Sequence, residues 1–260
     1  MLKKTLTSLV AVAMLSGVAF ADKLADVKSA GVLKAGVKYD FKPFGFVNEK
    51  NKVVGFDIDL MNYIAKDLGV KLKLQQVTSK TRIALVATGA IDIAAASMTH
   101  KVQRDDTIDF TISYFFDGQA MLVRKDNKKR TPQGFAGKKV GAIQGATSGD
   151  NFLKVVPTAK IIKFQEYPQA VMALHKKKID AVTTDLVWCT AQAKDSHGKL
   201  KVIPKTISFE PYGMGIPENE SNFRDAVNFA LQKAVKDGYY AKSYKKWFGE
   251  NPKVIPEVWP

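Results

Sequence analysis

Short apolar runs alternate with helix-period stretches along almost the whole chain, and this limits the fold more than any other feature. Residues 32–37 (VLKAGV) read as a strand, and 57–68 as a helix with Ile58, Leu60, Met61, Ile64 and Leu68 on one face. Over 71–77, Leu72 and Leu74 alternate with polar residues in a strand pattern. A short helix over 81–88 closes at Gly89, and 91–95 reads as a buried strand. The same order returns later: strand 139–143, helix 147–155, strand 160–164, helix 167–177, strand 180–183. Such alternation predicts an α/β protein with mostly parallel sheets.

The two halves echo each other. Gly89-Ala90-Ile91-Asp92-Ile93 follows a helix in the first, and Lys178-Ile179-Asp180-Ala181-Val182 follows one in the second. The succession predicts two similar lobes. Ligands of open α/β sheets sit beyond the C-terminal strand ends, so two facing lobes would share one cleft. Residues 222–245 read as one or two helices with Phe223, Val227, Ala230, Leu231, Ala234 and Val235 on a face; Pro252 and Pro256 bar a long helix afterwards.

The first 21 residues predict export. Lys3 and Lys4 precede an apolar stretch over 9–18, and Ala19-Phe20-Ala21 supplies a small-x-small cleavage pattern, so a signal peptide removed before Asp22 is expected. The apolar run is well short of the roughly 20 residues a bilayer crossing takes. No cysteine lies near the cleavage point to take a lipid, and the expected location is the periplasm. Cys189 is the single cysteine, which excludes an internal disulfide and leaves stability to a packed core. About 240 mature residues suffice for one large domain or two lobes of roughly 100 residues each.

Lys and Arg total 40 against 25 acidic residues, a net charge of +15. The cations are mostly lysines in twos and threes (Lys138-Lys139, Lys176-Lys177-Lys178, Lys245-Lys246), and no nucleic-acid module accompanies them. A basic field of this kind favours the approach of an anionic solute. His100, His175 and His197 lack metal-ligand spacing, so neither a metal nor another cofactor is expected.

Four segments then occur in order: Phe41-Lys42-Pro43-Phe44-Gly45-Phe46; Gly55-Phe56-Asp57-Ile58-Asp59-Leu60; Ser97-Met98-Thr99 with Arg104, Asp109-Phe110-Thr111 and Tyr114; and Gly238-Tyr239-Tyr240 with Tyr244 and Lys246-Trp247-Phe248-Gly249. Together they resemble the amino-acid-binding class of bacterial ABC-importer solute receptors, over essentially the whole mature chain. The resemblance implies a type II periplasmic-binding fold, with two α/β lobes joined by two hinge strands. The chain would cross near 114–118 and return near 208–212. Lobe 1 would comprise 22–114 and 213–260, and lobe 2 residues 115–212. It also implies a monomer that binds an amino acid and meets an inner-membrane ABC permease.

A free amino acid presents an α-carboxylate and an α-ammonium. The planar fork of Arg104 can hold both carboxylate oxygens, with Ser97 and Thr99 donating nearby. Beside Asp105 and Asp106, Arg104 reads equally as a solvated charge. Asp185 follows a strand at the mouth position and suits the ammonium, or caps the helix ahead of Val187-Trp188. Gln144, Thr147 and Ser148 occupy a strand-to-helix turn whose amides would face an anion; the turn lacks a nucleotide P-loop's Gly-Lys-Ser/Thr ending.

Lys38 ends the first strand, and it reads equally as an exposed lysine. Ser79 and Arg82 belong to Thr78-Ser79-Lys80-Thr81-Arg82-Ile83, which resembles glutamate/aspartate receptors. If Lys38, Ser79 and Arg82 face the cleft, they make a second anion site, which describes a dicarboxylic amino acid. A glutamine receptor would leave two cations buried and unpaired, at a cost on the order of several kcal/mol. Tyr167 adds a polar contact at the second lobe's helix entry. The expectation is a receptor and not an enzyme. The alternatives are a receptor for another polar amino acid, or a periplasmic dehydratase of the same fold, which needs a cleft general acid.

Overall fold

The computed structural model describes residues 22–203 and 205–256; the leader expected at 1–21 lies outside them. α1 (Lys23–Ala30) opens the first lobe, capped by the Asp22 carboxylate, which accepts the Leu24 and Ala25 amides at 3.0 and 3.3 Å. β1 (Val32–Val37) follows, then a small antiparallel ribbon of β2 (Asp40–Phe41), β3 (Gly45–Val47) and β4 (Val53–Val54). Next come α2 (Phe56–Asp67), β5 (Lys71–Gln76), α3 (Arg82–Ala87) and β6 (Ile93–Thr99), then α4 (Val102–Asp105) and β7 (Asp109–Phe110). β8 (Phe115–Arg124) carries the chain into the second lobe. There a 3-10 turn (Pro132–Phe135) precedes β9 (Lys139–Ile143), α5 (Ser148–Val155), β10 (Lys160–Phe164), α6 (Tyr167–His175), β11 (Ala181–Asp185), α7 (Leu186–Asp195) and β12 (Leu200–Ile203). β13 (Phe209–Ile216) returns the chain, and α8 (Ser221–Lys236) and α9 (Tyr239–Phe248) pack back on α2.

Both lobes repeat one strand order. β5–β1–β6 run parallel in the first and β10–β9–β11 in the second. In each, the first strand is central, and the chain winds to one side before crossing to the other. The order therefore reverses at β1 and at β9. The crevices this creates open outside the C-terminal ends of β1, β6, β9 and β11, where α/β sheets hold ligands. β6 is buried at every position and touches α2 and α3, which explains its unbroken run of apolar and small residues.

Two strands connect the lobes. β8 pairs antiparallel with β13 from Phe115↔Tyr212 to Gly118↔Phe209. Beyond Gly118, β8 leaves for β11 and β12, and from Tyr212 onward β13 pairs with β6. Aromatic rings fill the foot of this neck, with Phe44 and Phe248 centred 4.8 and 5.0 Å from Phe115. Asp59 anchors α9, since its Oδ2 accepts Ser243 Oγ, Lys246 Nζ and Trp247 Nε1 at 2.8–2.9 Å.

The structure adds elements the sequence reading lacks. The β2–β4 ribbon consists of two- and three-residue strands, too short for alternation to register. The segment 222–245 is two helices, because Gly238 is left-handed (φ 77°) between α8 and α9. Among the described residues no helix is long and apolar enough to cross a membrane.

Candidate functional site

Lys38 follows β1 directly and is only 2 % exposed, so it is not a surface lysine. Its Nζ donates to Ser79 Oγ at 2.8 Å and lies 4.4 and 4.6 Å from the ring centres of Phe41 and Tyr167. Arg82 starts α3, against the helix dipole. It is buried because it reaches the end of β6, where Nη1 donates to the Ala96 and Ser97 carbonyls at 2.5 and 3.3 Å; its Nε has no partner among the described residues. Ser97 is left-handed (φ 47°) and gives its amide and hydroxyl to Asp57 Oδ2 at 3.1 and 3.2 Å. Tyr114 donates to the other Asp57 oxygen at 2.8 Å. Arg104 is buried, and Asp105 beside it pairs with His100 instead, so Arg104 is not a solvated charge. Its Nη1 donates to the Thr99 carbonyl at 2.6 Å, and its Nη2 crosses to the Gly145 carbonyl at 3.1 Å. Among the described residues, three of its five N–H groups have no acceptor.

The second lobe meets these residues at the turn after β9. Gly145 has φ 82°, and a Cβ there would stand 2.4 Å from the Ser79 carbonyl oxygen, so the lobes touch where only glycine fits. Two amides of the turn are already committed, that of Gln144 to the Phe164 carbonyl of β10 at 2.8 Å and that of Ala146 to the Ile143 carbonyl at 3.1 Å. Thr147 donates to Glu210, and the buried Ser148 hydroxyl has no partner among the described residues. The Tyr167 amide donates to Asp40 of the first lobe at 3.1 Å, and its hydroxyl lies 3.2 Å from Thr184 Oγ1. Asp185 ends β11 at the N-cap position of α7 yet makes no capping bond. Asp117 on β8 does so instead, accepting the Val187 amide at 3.2 Å and the Gly118 amide at 2.7 Å. The Asp185 carboxylate is thereby left to the cleft, approached by Thr184 Oγ1 at 3.3 Å.

Three carboxylates without a site role in the sequence reading complete the site: Asp57, which lies in the segment 55–60, Asp117 and Glu210. Glu210 lies opposite Asp117 across the neck. Its Oε2 accepts Thr99 Oγ1 at 2.5 Å and Thr147 Oγ1 at 3.1 Å; its Oε1 accepts Asn151 Nδ2 at 2.9 Å and the Ser208 hydroxyl. An acidic residue inside the apolar strand pattern of 209–216 was the available signal for it.

Burial dominates the electrostatics. It brings Lys38 down to about 7, aided by Arg82 and opposed by Asp40, Asp185 and Asp57. It lowers Arg82, and brings Arg104 to about 9 with Arg82 assisting and Glu210 and Asp185 opposing. Asp185 is raised to about 6 by burial and Glu210, against Lys38, Tyr212 and Arg82. Asp57 is raised to about 6 by burial, and Asp117 to about 7 by burial and Asp185. Among the described residues, none of Lys38, Arg82 and Arg104 has a carboxylate within 4.0 Å. No group of three or more His, Cys, Asp or Glu among the described residues could hold a metal.

Residues 33–250 match the family described as bacterial extracellular solute-binding proteins, family 3. The chain belongs to this family. This family 3 protein is 37 % identical over 236 residues to an ABC transporter glutamine-binding protein of Bacillus subtilis, covering 89 % of this chain and 86 % of that one. It is 28 % identical over 244 residues to a glutamate-binding protein of Corynebacterium efficiens, covering 88 % and 83 %. Among solved structures, an ancestral arginine-binding protein bound to glutamine superposes with TM-score 0.82 at 39 % identity, covering 85 % of this chain and 99 % of that one. An ancestral amino-acid-binding protein that is a precursor of cyclohexadienyl dehydratase superposes with TM-score 0.80 at 33 % identity, covering 88 % and 100 %. The fold is the two-lobed type II periplasmic-binding architecture.

Proposed function

We propose that this family 3 protein is a periplasmic amino-acid receptor that delivers its solute to an ABC permease, and that the solute is acidic, glutamate or aspartate. The observation that carries the proposal is the set of three buried cations without an ion pair, converging from the first lobe on a cleft whose other wall holds Asp185. Buried charges without partners are costly, and an anionic solute supplies the missing ones. Arg104 takes the α-carboxylate end, with Ser148 offering its hydroxyl. Ser97 gives its amide and hydroxyl to Asp57, and the Thr99 and Thr147 hydroxyls give their hydrogens to Glu210, so none of these three side chains donates to that carboxylate. Asp185 takes the α-ammonium. Lys38, Ser79 and Arg82 take the side-chain carboxylate, and Tyr167 and Gln144 stand at the second lobe's wall. The lobes are drawn at 22–114 with 213–260, and at 115–212, closing on the solute about the β8–β13 neck.

A glutamine receptor is the second reading, favoured by the name of the B. subtilis relative. Isothermal titration of the mature chain against a panel of amino acids separates the two. Binding of glutamate or aspartate well above glutamine supports the acidic reading, and binding of a neutral or cationic amino acid alone sinks it. The dehydratase reading is weaker, though the cleft holds more carboxylates than the sequence suggested. Asp57 and Glu210 are occupied by hydroxyl, amide and backbone donors, and Asp117 caps α7. Turnover of a cyclohexadienyl acid would overturn the receptor assignment.

A further inference from the structure

We propose that Glu210 is a specificity-determining residue that makes Thr99 and Thr147 serve the solute as hydrogen-bond acceptors only, so that the closed cleft selects an ammonium group. This rests on the reading of the cleft as an amino-acid site. A hydroxyl carries one hydrogen and two lone pairs, whereas an ionised carboxylate can only accept. Thr99 Oγ1 and Thr147 Oγ1 both point at the same oxygen, Glu210 Oε2, at 2.5 and 3.1 Å, and neither has another partner among the described residues. Both hydrogens are therefore committed to Glu210. What each hydroxyl still offers is a lone pair, which suits an ammonium with three N–H donors and repels a carboxylate oxygen.

The same oxygen joins the lobes. Thr99 ends β6 in the first lobe and Thr147 precedes α5 in the second, while Glu210 sits on the connecting strand β13. Asn151 and Ser208 hold its other oxygen, so the carboxylate is fixed from both sides and cannot turn away. Lobe closure thus gathers the two acceptors on one carboxylate, whose charge also acts on Asp185.

The test is calorimetric titration of the mature protein and its Glu210→Gln variant with L-glutamate and L-glutamine, and with their des-amino counterparts glutarate and glutaramate. A Gln amide can donate to the hydroxyls and free their hydrogens. The expected result is a roughly tenfold to hundredfold loss for the bound amino acid, with less than about threefold change for its des-amino counterpart. Equal losses for both would overturn the proposal, because a merely structural hinge residue weakens every solute alike. Thr99→Val, which keeps Glu210 and removes one acceptor, should shift the same ratio in the same direction and covers the case in which Glu210→Gln folds poorly. If glutamine binds and glutamate does not, the acidic reading fails, and the glutamine/glutaramate ratio still reads Glu210.

Discussion

Lys38 offers the sharpest lever on specificity. The shut lobes hold it at about 7 against an ordinary value of 10.5, chiefly by burial and secondarily by Arg82. At about 1.36 kcal/mol per unit, keeping that ammonium charged in a shut cleft costs up to about 5 kcal/mol when no solute anion faces it. A side-chain carboxylate placed against it offsets most of that cost. Lys38→Met keeps the length of the side chain and removes the charge. The variant should shut without solute far more readily, and should lose most of the preference for glutamate over glutamine, roughly 2–5 kcal/mol of it. The pH dependence has a definite sign. A cation whose value is depressed on closure disfavours closure fully below about 7, and the penalty fades as pH rises from 7 toward 10.5. Solute-free closure of the wild type should therefore increase over that window, and that of Lys38→Met should not change. Paired fluorophores on cysteines introduced at Lys50 and Lys178, both exposed, would follow the interlobe distance; the buried Cys189 stays unlabelled. An interlobe distance in the variant that matches the wild type at every pH, with an unchanged glutamate-to-glutamine ratio, would refute the account.

Asp185 should give the opposite limb. Raised to about 6, it protonates as pH falls through that value, so affinity for any α-ammonium solute should drop by up to about tenfold per pH unit below it. Asp185→Asn should flatten that limb in a titration series, and a wild-type profile level from pH 7 to 5 would count against the role. Gly145→Ala places a Cβ 2.4 Å from the Ser79 carbonyl in a left-handed conformation. Beyond strain of roughly 1–2 kcal/mol, it should hold the lobes apart and weaken the solute more than about tenfold, and unchanged affinity would show that the turn does not meet Ser79 in the bound form. Lys42→Ala removes the interlobe pair with Asp195 at 2.8 Å, but both side chains are more than two-fifths exposed. Its effect on Kd should stay below about fivefold.

The readable part of this protein was the local part. The α/β alternation marked β1, β5, β6, β9, β10 and β11, because each is long enough for its burial pattern to register against the flanking helices. The mouth positions followed from those strand ends, and with them the placement of Lys38, Ser97, Thr99 and Asp185 at or just beyond β1, β6 and β11. What stayed hidden depends on partners distant in sequence. Asp185 reads as a helix cap, and it is free for the cleft only because Asp117, on another strand, takes the Val187 amide. Arg82 reads as a misplaced charge at a helix start until β6 brings the Ala96 and Ser97 carbonyls to it.

The neck is where these hidden relations concentrate. Asp117 and Glu210 face each other across β8 and β13, the two strands about which the lobes turn. One caps α7 and so frees Asp185. The other draws Thr99 and Thr147 onto one oxygen. Two carboxylates at that spacing repel, and Glu210 raises both Asp117 and Asp185. A rotation of the neck that moves Glu210 away from either threonine changes the acceptors offered to the solute and the field on Asp185 together. On the proposed reading of the cleft, recognition and closure are coupled through the hinge strands themselves, and substitutions at Asp117 or Glu210 should alter solute choice as well as the ease of closing.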